Sequence, residues 1–289
     1  MGEKMFFRKR RKKDIERMRL LVEREIAKRQ CQVDARDLKR LTQEERVVDK
    51  EIVVSLTTYS KRIHDVYLVL ESISQQTVLP NRVVLWLAEG EFGNLPISIT
   101  ERIDFGLEIR FCEDIRSYKK IVPALLEFPD SIIITLDDDI LYPRDTIEIL
   151  VNKHKECPSA IVGHRAHEIT FSKGKMRPYK EWKRETKENN GNIFLTGGAG
   201  TLYPPNSLYG DVTKKEIFTK ICPYADDVWM YFMAKMNKTE IINVQGRDFK
   251  DFVELPNASS EAGLNKINVN KGYNDKQIDN VIKYYNIEI

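Results

Sequence analysis

The segment Ser131 to Asp139 constrains this chain more than any other: Ser-Ile-Ile-Ile-Thr-Leu-Asp-Asp-Asp is an apolar, β-branched run that stops on three consecutive carboxylates. A run so apolar suits a strand covered on both faces of a parallel sheet. In open α/β sheets ligands bind outside the carboxyl ends of such strands, so the acids stand where a ligand would lie. Side chains alternate along a strand, so if the extended geometry persists, Asp137 and Asp139 share one side and Asp138 points away. Two carboxylates so placed suit a hard divalent cation, Mg²⁺ or Mn²⁺, that shares its shell with substrate phosphates. The plainer alternative is an acidic loop leading into a helix that begins near Pro143.

The segments around this run alternate between strand and helix patterns. Ile52 to Leu56, Arg82 to Leu87 and Leu107 to Cys112 read as strands before it, and Ala160 to Arg165 and Asn192 to Thr196 after it. Helices are expected over Ile63 to Gln76, Ser117 to Phe128 and Pro143 to Lys155, where apolar residues recur at helical spacing. Such alternation predicts an α/β fold with a mostly parallel, doubly wound sheet flanked by helices. The polar stretch Lys173 to Gly191, with Trp182 amid charges, reads as a long surface excursion of the kind that forms lids or binding loops.

A length of 289 residues fits one large domain with an appendage, at about 100–200 residues per domain. The expected division is a basic helical extension over 1–49, a main domain over 50–250, and a polar tail over 251–289 that closes on the site. Net charge is +3, but residues 1–49 carry 16 Lys and Arg against 10 Asp and Glu, a surplus of +6 that leaves −3 for the rest. Ile15, Met18, Val22 and Ile26 place a narrow apolar stripe on a helix over about 12–30. Three seats are open to that stripe, the body, another chain, or an anionic membrane touched through residues 5–30; a solvated helix with a basic tip is the simpler reading. No segment reaches the roughly 18 apolar residues of a membrane span, and the basic start lacks a signal peptide's apolar core. The expected location is cytoplasmic, with the cytoplasmic face of the inner membrane as the surface such a helix would meet. Cys31, Cys112, Cys157 and Cys222 are far apart, as expected of reduced thiols.

Polar groups recur at successive strand ends. Thr57, Tyr59 and Arg62 follow the first strand and suit a nucleotide, with Tyr59 stacking on a base and Arg62 approaching a phosphate. Glu89 follows the second strand; Asp114, Arg116, Lys119 and Lys120 follow the third. Thr196-Gly197-Gly198-Ala199-Gly200 is a glycine turn whose amides can approach a ligand closely. It lacks the signature of a phosphate-binding P-loop or a dinucleotide fingerprint. Asp226 and Asp227 open an apolar helix through Met236; there they serve as N-cap and first-turn charge, or as a general base across a crevice.

Taken together these motifs resemble the GT-A glycosyltransferases, in particular the inverting, nucleotide-sugar-dependent family 2 type, over roughly Ile52 to Met236. The resemblance implies a nucleoside-diphosphate-sugar donor held by Thr57, Tyr59, Arg62, Glu89, Asp114 and Lys120. It further implies an Asp-x-Asp element within Asp137-Asp138-Asp139 that ligates Mn²⁺ or Mg²⁺ and meets the ribose. Within the triplet the pleat favours Asp137 and Asp139 as metal ligands, whereas alignment on Pro143 points to Asp138. Asp227, with Asp226 as competitor, matches the position of the catalytic base. The implied acceptor is a glycan or glycolipid hydroxyl, in the setting of a bacterial surface polysaccharide. Two departures from the pattern are Glu89 in place of the usual Asp, and no His beyond Ile241 to complete a metal shell.

Two other readings compete. Haloacid-dehalogenase-like phosphatases also place Asp-x-Asp at a strand end and use Mg²⁺, but theirs is the first strand of the core, whereas three strands precede this one. A binding protein led by the basic arm would associate with membrane or nucleic acid, yet the body's net −3 argues against a specific nucleic-acid partner.

Overall fold

The Ile- and Val-rich segments become strands, and their order in the sheet decides where a ligand can sit. The computed structural model describes residues 2–187, 189–244, 251–255 and 272–288. The strands are β1 (Ile52–Thr57), β2 (Arg82–Ala88), β3 (Leu107–Cys112), β4 (Ile132–Thr135), β5 (Ile140–Leu141), β6 (Ile161–Gly163), β7 (Ala166–Glu168), β8 (Phe171–Ser172), β9 (Lys175–Met176), β10 (Ile193–Leu195), β11 (Thr201–Tyr203), β12 (Ile241–Asn243) and β13 (Val253–Glu254). The helices are α1 (Gly2–Asp34), α2 (Val66–Ser74), α3 (Ile97–Thr100), α4 (Val122–Glu127), α5 (Thr146–Glu156), α6 (Lys215–Ile221), α7 (Asp226–Met236) and α8 (Tyr273–Tyr285).

Seven strands form one sheet in the order β12-β6-β11-β4-β1-β2-β3. All its pairings are parallel except those of β11, which runs against both β4 and β6. The expected mostly parallel α/β sheet flanked by helices is therefore present, in a Rossmann-like arrangement. The chain steps outward from β1 through β2 to β3, then returns to lay β4 on the opposite side of β1. Strand order thus reverses between β1 and β4, and a crevice opens beyond their carboxyl ends.

Alternation along the strands separates two cores. Ile52, Val54, Leu56, Leu85 and Ile134 face a layer that contains α2 and α5. Val53, Val84, Trp86 and Ile133 face the other layer, with α4, α6, α7 and α8. Full coverage of both faces explains why these strands carry apolar side chains at consecutive positions.

Several expectations are corrected. The strand around Asn192 to Thr196 is β10, which pairs with β7 outside the main sheet. The sheet position is taken by β11, too short to stand out by pattern. The helix expected from Pro143 begins at Thr146, and those expected from Ile63 and Ser117 each open with a 3₁₀ turn, at Ser60–His64 and Arg116–Lys120. The stretch from Lys173 is no solvent excursion throughout: Trp182 is 3% exposed and packs against Tyr179 and Phe194. Its polar neighbours had concealed that.

The leader forms the longer helix α1, and its predicted stripe does not dock, since Ile15, Met18, Val22 and Ile26 are all exposed. Contact with the body comes from Arg24 to Glu254 (2.9 Å) and from Cys31, whose thiol donates to the Leu68 carbonyl (3.3 Å). Cys31, Leu41, Val47 and Val48 belong to the core, so the extension's end is built into the main body. Among the described residues no helix is long and apolar enough to cross a membrane. The four cysteines are free thiols. The polar tail segment 256–271 lies outside the described residues, while α8 packs through Ile278 and Val281.

One buried ion pair supports this architecture. Arg102 donates to Glu71 of α2 at 3.2 Å, with both side chains fully buried. The Arg102 Nε and Nη1 atoms have no partner, which leaves Glu71 as its counter-charge in an apolar setting. Removing one member of such a pair leaves an uncompensated buried charge. Glu71→Ala should cost about 3–5 kcal/mol in denaturant unfolding, whereas the double change Glu71→Leu with Arg102→Met should cost far less.

Candidate active site

The loops after β1, β2, β3 and β4, the glycine loop and the start of α7 meet at the reversal point around a cavity of about 530 Å³. The loop after β1 is pinned at its root, where the Thr57 hydroxyl donates to the Trp86 carbonyl at 2.8 Å. Arg62 then lies 5.0 Å from the centroid of the Tyr59 ring. Ser60 takes a left-handed φ of 51°, and Arg116, after β3, one of 58°. Left-handed backbone costs a non-glycine residue about 1 kcal/mol. A carboxylate offsets each: Glu91 accepts the Ser60 N–H (2.7 Å) and Asp114 accepts the Arg116 N–H (3.0 Å). Asp114 also accepts from Lys119 at 2.6 Å, a bond that holds its carboxyl below the usual range.

The acids after β4 do not continue the pleat, because the chain turns at Asp138 and Asp139. Asp138 is 5% exposed, and its two oxygens are occupied by the Thr58 hydroxyl (2.7 Å) and Arg62 (2.6 Å). Arg62 also reaches Asp139 at 3.0 Å. Burial alone would lower the Arg62 pKa, but Asp138 and Asp139 raise it, so the guanidinium stays charged. Asp137 accepts from Lys120 at 2.7 Å.

Lys120 is almost buried and pairs with Asp226 as well, at 3.1 Å. Burial works against its charge, yet Asp137, Asp226 and Asp227 outweigh that effect and raise its pKa. Arg62, expected to approach a phosphate, and Lys120, expected at the donor site, therefore act in this arrangement as internal counter-ions.

The glycine loop closes the site. The Tyr142 hydroxyl accepts the Asp137 N–H (2.7 Å) and donates to the Gly198 carbonyl (3.0 Å), which bolts the acids to the loop. A Cβ on Gly197 would stand 3.0 Å from Asp227 Oδ1 and 3.2 Å from Lys120 Nζ, so only glycine lets the backbone come this close. In return the Gly197 N–H donates to Asp227 Oδ1 at 3.0 Å. Asp226 is the first residue of α7, and Ala225 occupies the N-cap position instead.

Asp227 has its pKa raised to about 7, first by burial and then by the Asp226 carboxylate, with Lys120 opposing. That value suits a group that must take a proton near neutrality. Asp226, fixed by Lys120, is the less available of the two.

Of the residues expected at the site, Thr57, Tyr59, Arg62, Asp114, Lys120, Asp137, Asp138, Asp139, Asp226 and Asp227 all line the cavity. Glu89 does not: it is exposed, and Glu91, two residues on, takes its place. The loop after β2 turns at Gly90, whose φ of 74° shifts the inward position along the chain. Arg165, His167, Tyr179, Arg184 and Phe194 form the far wall of the cavity; Tyr179 and Arg184 belong to the stretch expected as a lid or binding loop, while no sequence pattern marks the other three. The one signal of that stretch was Trp182 amid charges.

The acids fit a divalent cation. Burial and then Asp137 push the Asp139 carboxyl above its usual range, against Arg62, and a bound cation would relieve that repulsion. Among the described residues no three His, Cys, Asp or Glu side chains form a ready metal cluster. Two carboxylates, with substrate phosphates and water completing the shell, are the donor set that Mg²⁺ and Mn²⁺ sites of this kind use.

No protein-family model and no curated protein matches the sequence. Among solved structures the chain is similar to the mannosyltransferase PcManGT from Pyrobaculum calidifontis in complex with GDP-Man and Mn²⁺, at 16% identity and a TM-score of 0.48. The match covers 78% of this chain and 61% of that one.

The raised Asp227 pKa carries a stability sign. An unfolded Asp titrates near pH 3.9, so the folded chain binds this proton more tightly. Ionisation then lowers stability progressively from about pH 4 to 7. Asp227→Asn should therefore be more stable than the wild type at pH 8, by roughly 2–4 kcal/mol, and lose that advantage near pH 4. Calorimetry at the two pH values checks this.

Proposed function

We propose that the protein is a metal-dependent glycosyltransferase of the GT-A type that moves a sugar from a nucleoside-diphosphate donor to a hydroxyl of a glycan or glycolipid, with inversion. The observation that carries this reading is the meeting of Asp137 and Asp139 with Asp227 in one cleft at the sheet's reversal point. Nucleotide-binding α/β sheets place their ligand there.

Tyr59 offers a ring face for the base, and Thr57 with Asp114 borders the ribose end. Asp137 and Asp139 would hold Mg²⁺ or Mn²⁺, which when bound supplies neutralisation of the departing diphosphate. Arg62 keeps Asp138 and Asp139 fixed in place, and Lys120 does the same for Asp137 and Asp226. Asp227 accepts the proton of the acceptor hydroxyl, held in position by the Gly197 N–H. Attack from the side opposite the diphosphate inverts the anomeric centre. The phosphatase reading loses ground because the acids lie on the fourth strand and Asp138 is occupied by Thr58 and Arg62. The acceptor fits a surface polysaccharide or its lipid-linked precursor, for which α1 offers exposed apolar residues among basic ones to an anionic membrane.

A thermal-shift series of nucleoside diphosphates with Mn²⁺ tests the donor site, since a ligand of the native state raises apparent stability. A metal-dependent shift with at least one diphosphate is expected, lost in Asp139→Ala; no shift with any of them would sink the reading. Asp227→Asn should keep that shift while turnover falls about 10²–10⁴-fold. The wild-type kcat/KM should rise with pH along an acid limb centred near 7, and this limb should vanish from the residual activity of Asp227→Asn.

A further inference from the structure

The far wall of the cleft combines an aromatic face with cations, a combination the transfer chemistry itself does not require. Tyr179 is at its centre: it packs against Trp182 (4.7 Å between centroids) and Phe194 (5.8 Å), with His167 at 6.0 Å. The exposed Arg184 guanidinium lies 4.7 Å from the Tyr179 ring centroid. Arg165 lines the same wall, 3.4 Å from the exposed carboxylate of Glu185. The Glu185 N–H donates to His167 Nδ1 at 3.2 Å, so the neutral ring carries its proton on Nε2. Burial and then the Arg184 and Arg165 charges lower the His167 pKa to about 4, which keeps the ring neutral.

The wall lies on the proton acceptor's side of the cleft. The Tyr179 pKa is raised first by burial and then by the Asp227 carboxylate, and lowered by Arg184 and Arg165. Asp227, Tyr179 and the two guanidiniums all line the one cavity. Tyr179 is only 6% exposed, and Arg184 rests on its ring and hydrogen-bonds its hydroxyl, so the ring serves to hold the guanidinium at the cleft. A guanidinium so held keeps further N–H donors, and these match a carboxylate or phosphate on a saccharide whose hydroxyl faces Asp227.

We infer that the acceptor is an anionic saccharide, recognised by Arg184 and Arg165 on the far wall of the cleft. This inference rests on the proposed transfer reaction for the word acceptor, while the anion site itself rests on the wall. Carboxylate and phosphate share the chemistry, and the test separates them.

The full-length protein, with Mn²⁺ and a saturating nucleoside diphosphate to fill the donor side, is titrated with glucuronate, glucose 6-phosphate and glucose, and binding is followed by ligand-observed NMR. At least one of the two anions should bind roughly tenfold or more tightly than glucose; which one leads tells carboxylate from phosphate. Arg184→Ala with Arg165→Ala should abolish that preference without altering nucleoside-diphosphate affinity, and Arg184→Lys should retain part of it. Equal binding of glucose and both anions, no binding of any of the three, or a preference that survives the double change would each overturn the inference. If no nucleoside diphosphate binds, the donor reading fails on its own, and the same sugar titrations on the protein alone still decide the anion site.

Discussion

The candidate site depends on one nearly buried ammonium. Lys120 reaches Asp137 from one side and Asp226 from the other, and its own carbonyl accepts from the Ser55 hydroxyl at 2.6 Å, inside β1. Ser55 in turn accepts from the Trp86 indole N–H of β2. A single residue thus joins the ends of β1, β3, β4 and α7. Without it, Asp137, Asp226 and Asp227 would lose the counter-charge they share, Arg62 being engaged by Asp138 and Asp139, and repulsion would drive protonation or local opening. The same charge keeps the raised pKa of Asp227 from rising further.

That arrangement restricts the surrounding backbone. The carboxylates approach the glycine loop so closely that a Cβ at Gly197 or Gly198 would fall within 3.0–3.3 Å of Asp227 or Asp137 oxygens. Ser60 and Arg116 accept left-handed backbone in the loops after β1 and β3. Strain of this kind persists only where neighbours over-determine it. Here the determinants are Glu91 and Asp114, whose bonds to the backbone leave the strained turns no cheaper alternative.

The sequence revealed the sheet and the acidic half of the cleft more readily than its far wall. Ile52 to Thr57 and Ile132 to Thr135 were legible because burial on both faces leaves an unbroken apolar run, and the acids after Leu136 break it abruptly. Asp226 and Asp227 were legible because two acids opening an apolar helix are conspicuous. The register within the triplet was not, since the chain turns at Asp138 and the pleat argument no longer applies. Glu89 was misplaced by a glycine turn that moved the inward position to Glu91. Tyr179 and Arg184 were legible only as part of a lid or binding loop and His167 not at all: short strands and a 3₁₀ turn carry no periodicity, and their contacts are distant in sequence.

β11 gives the cleft's edge of the sheet a property that a wholly parallel sheet would lack. Parallel strands deliver only their exits to that edge, but β11 runs the other way and delivers its entrance, the glycine loop. Its pairing with β6 joins Thr201 to Gly163, so everything between them is one closed excursion whose ends are fixed. Arg165, His167, Tyr179, Arg184, Phe194 and Thr196 all come from that excursion. The far wall of the cleft is thus one closed loop of chain anchored at two paired residues, while β1, β2, β3 and β4 hold the opposite side in register.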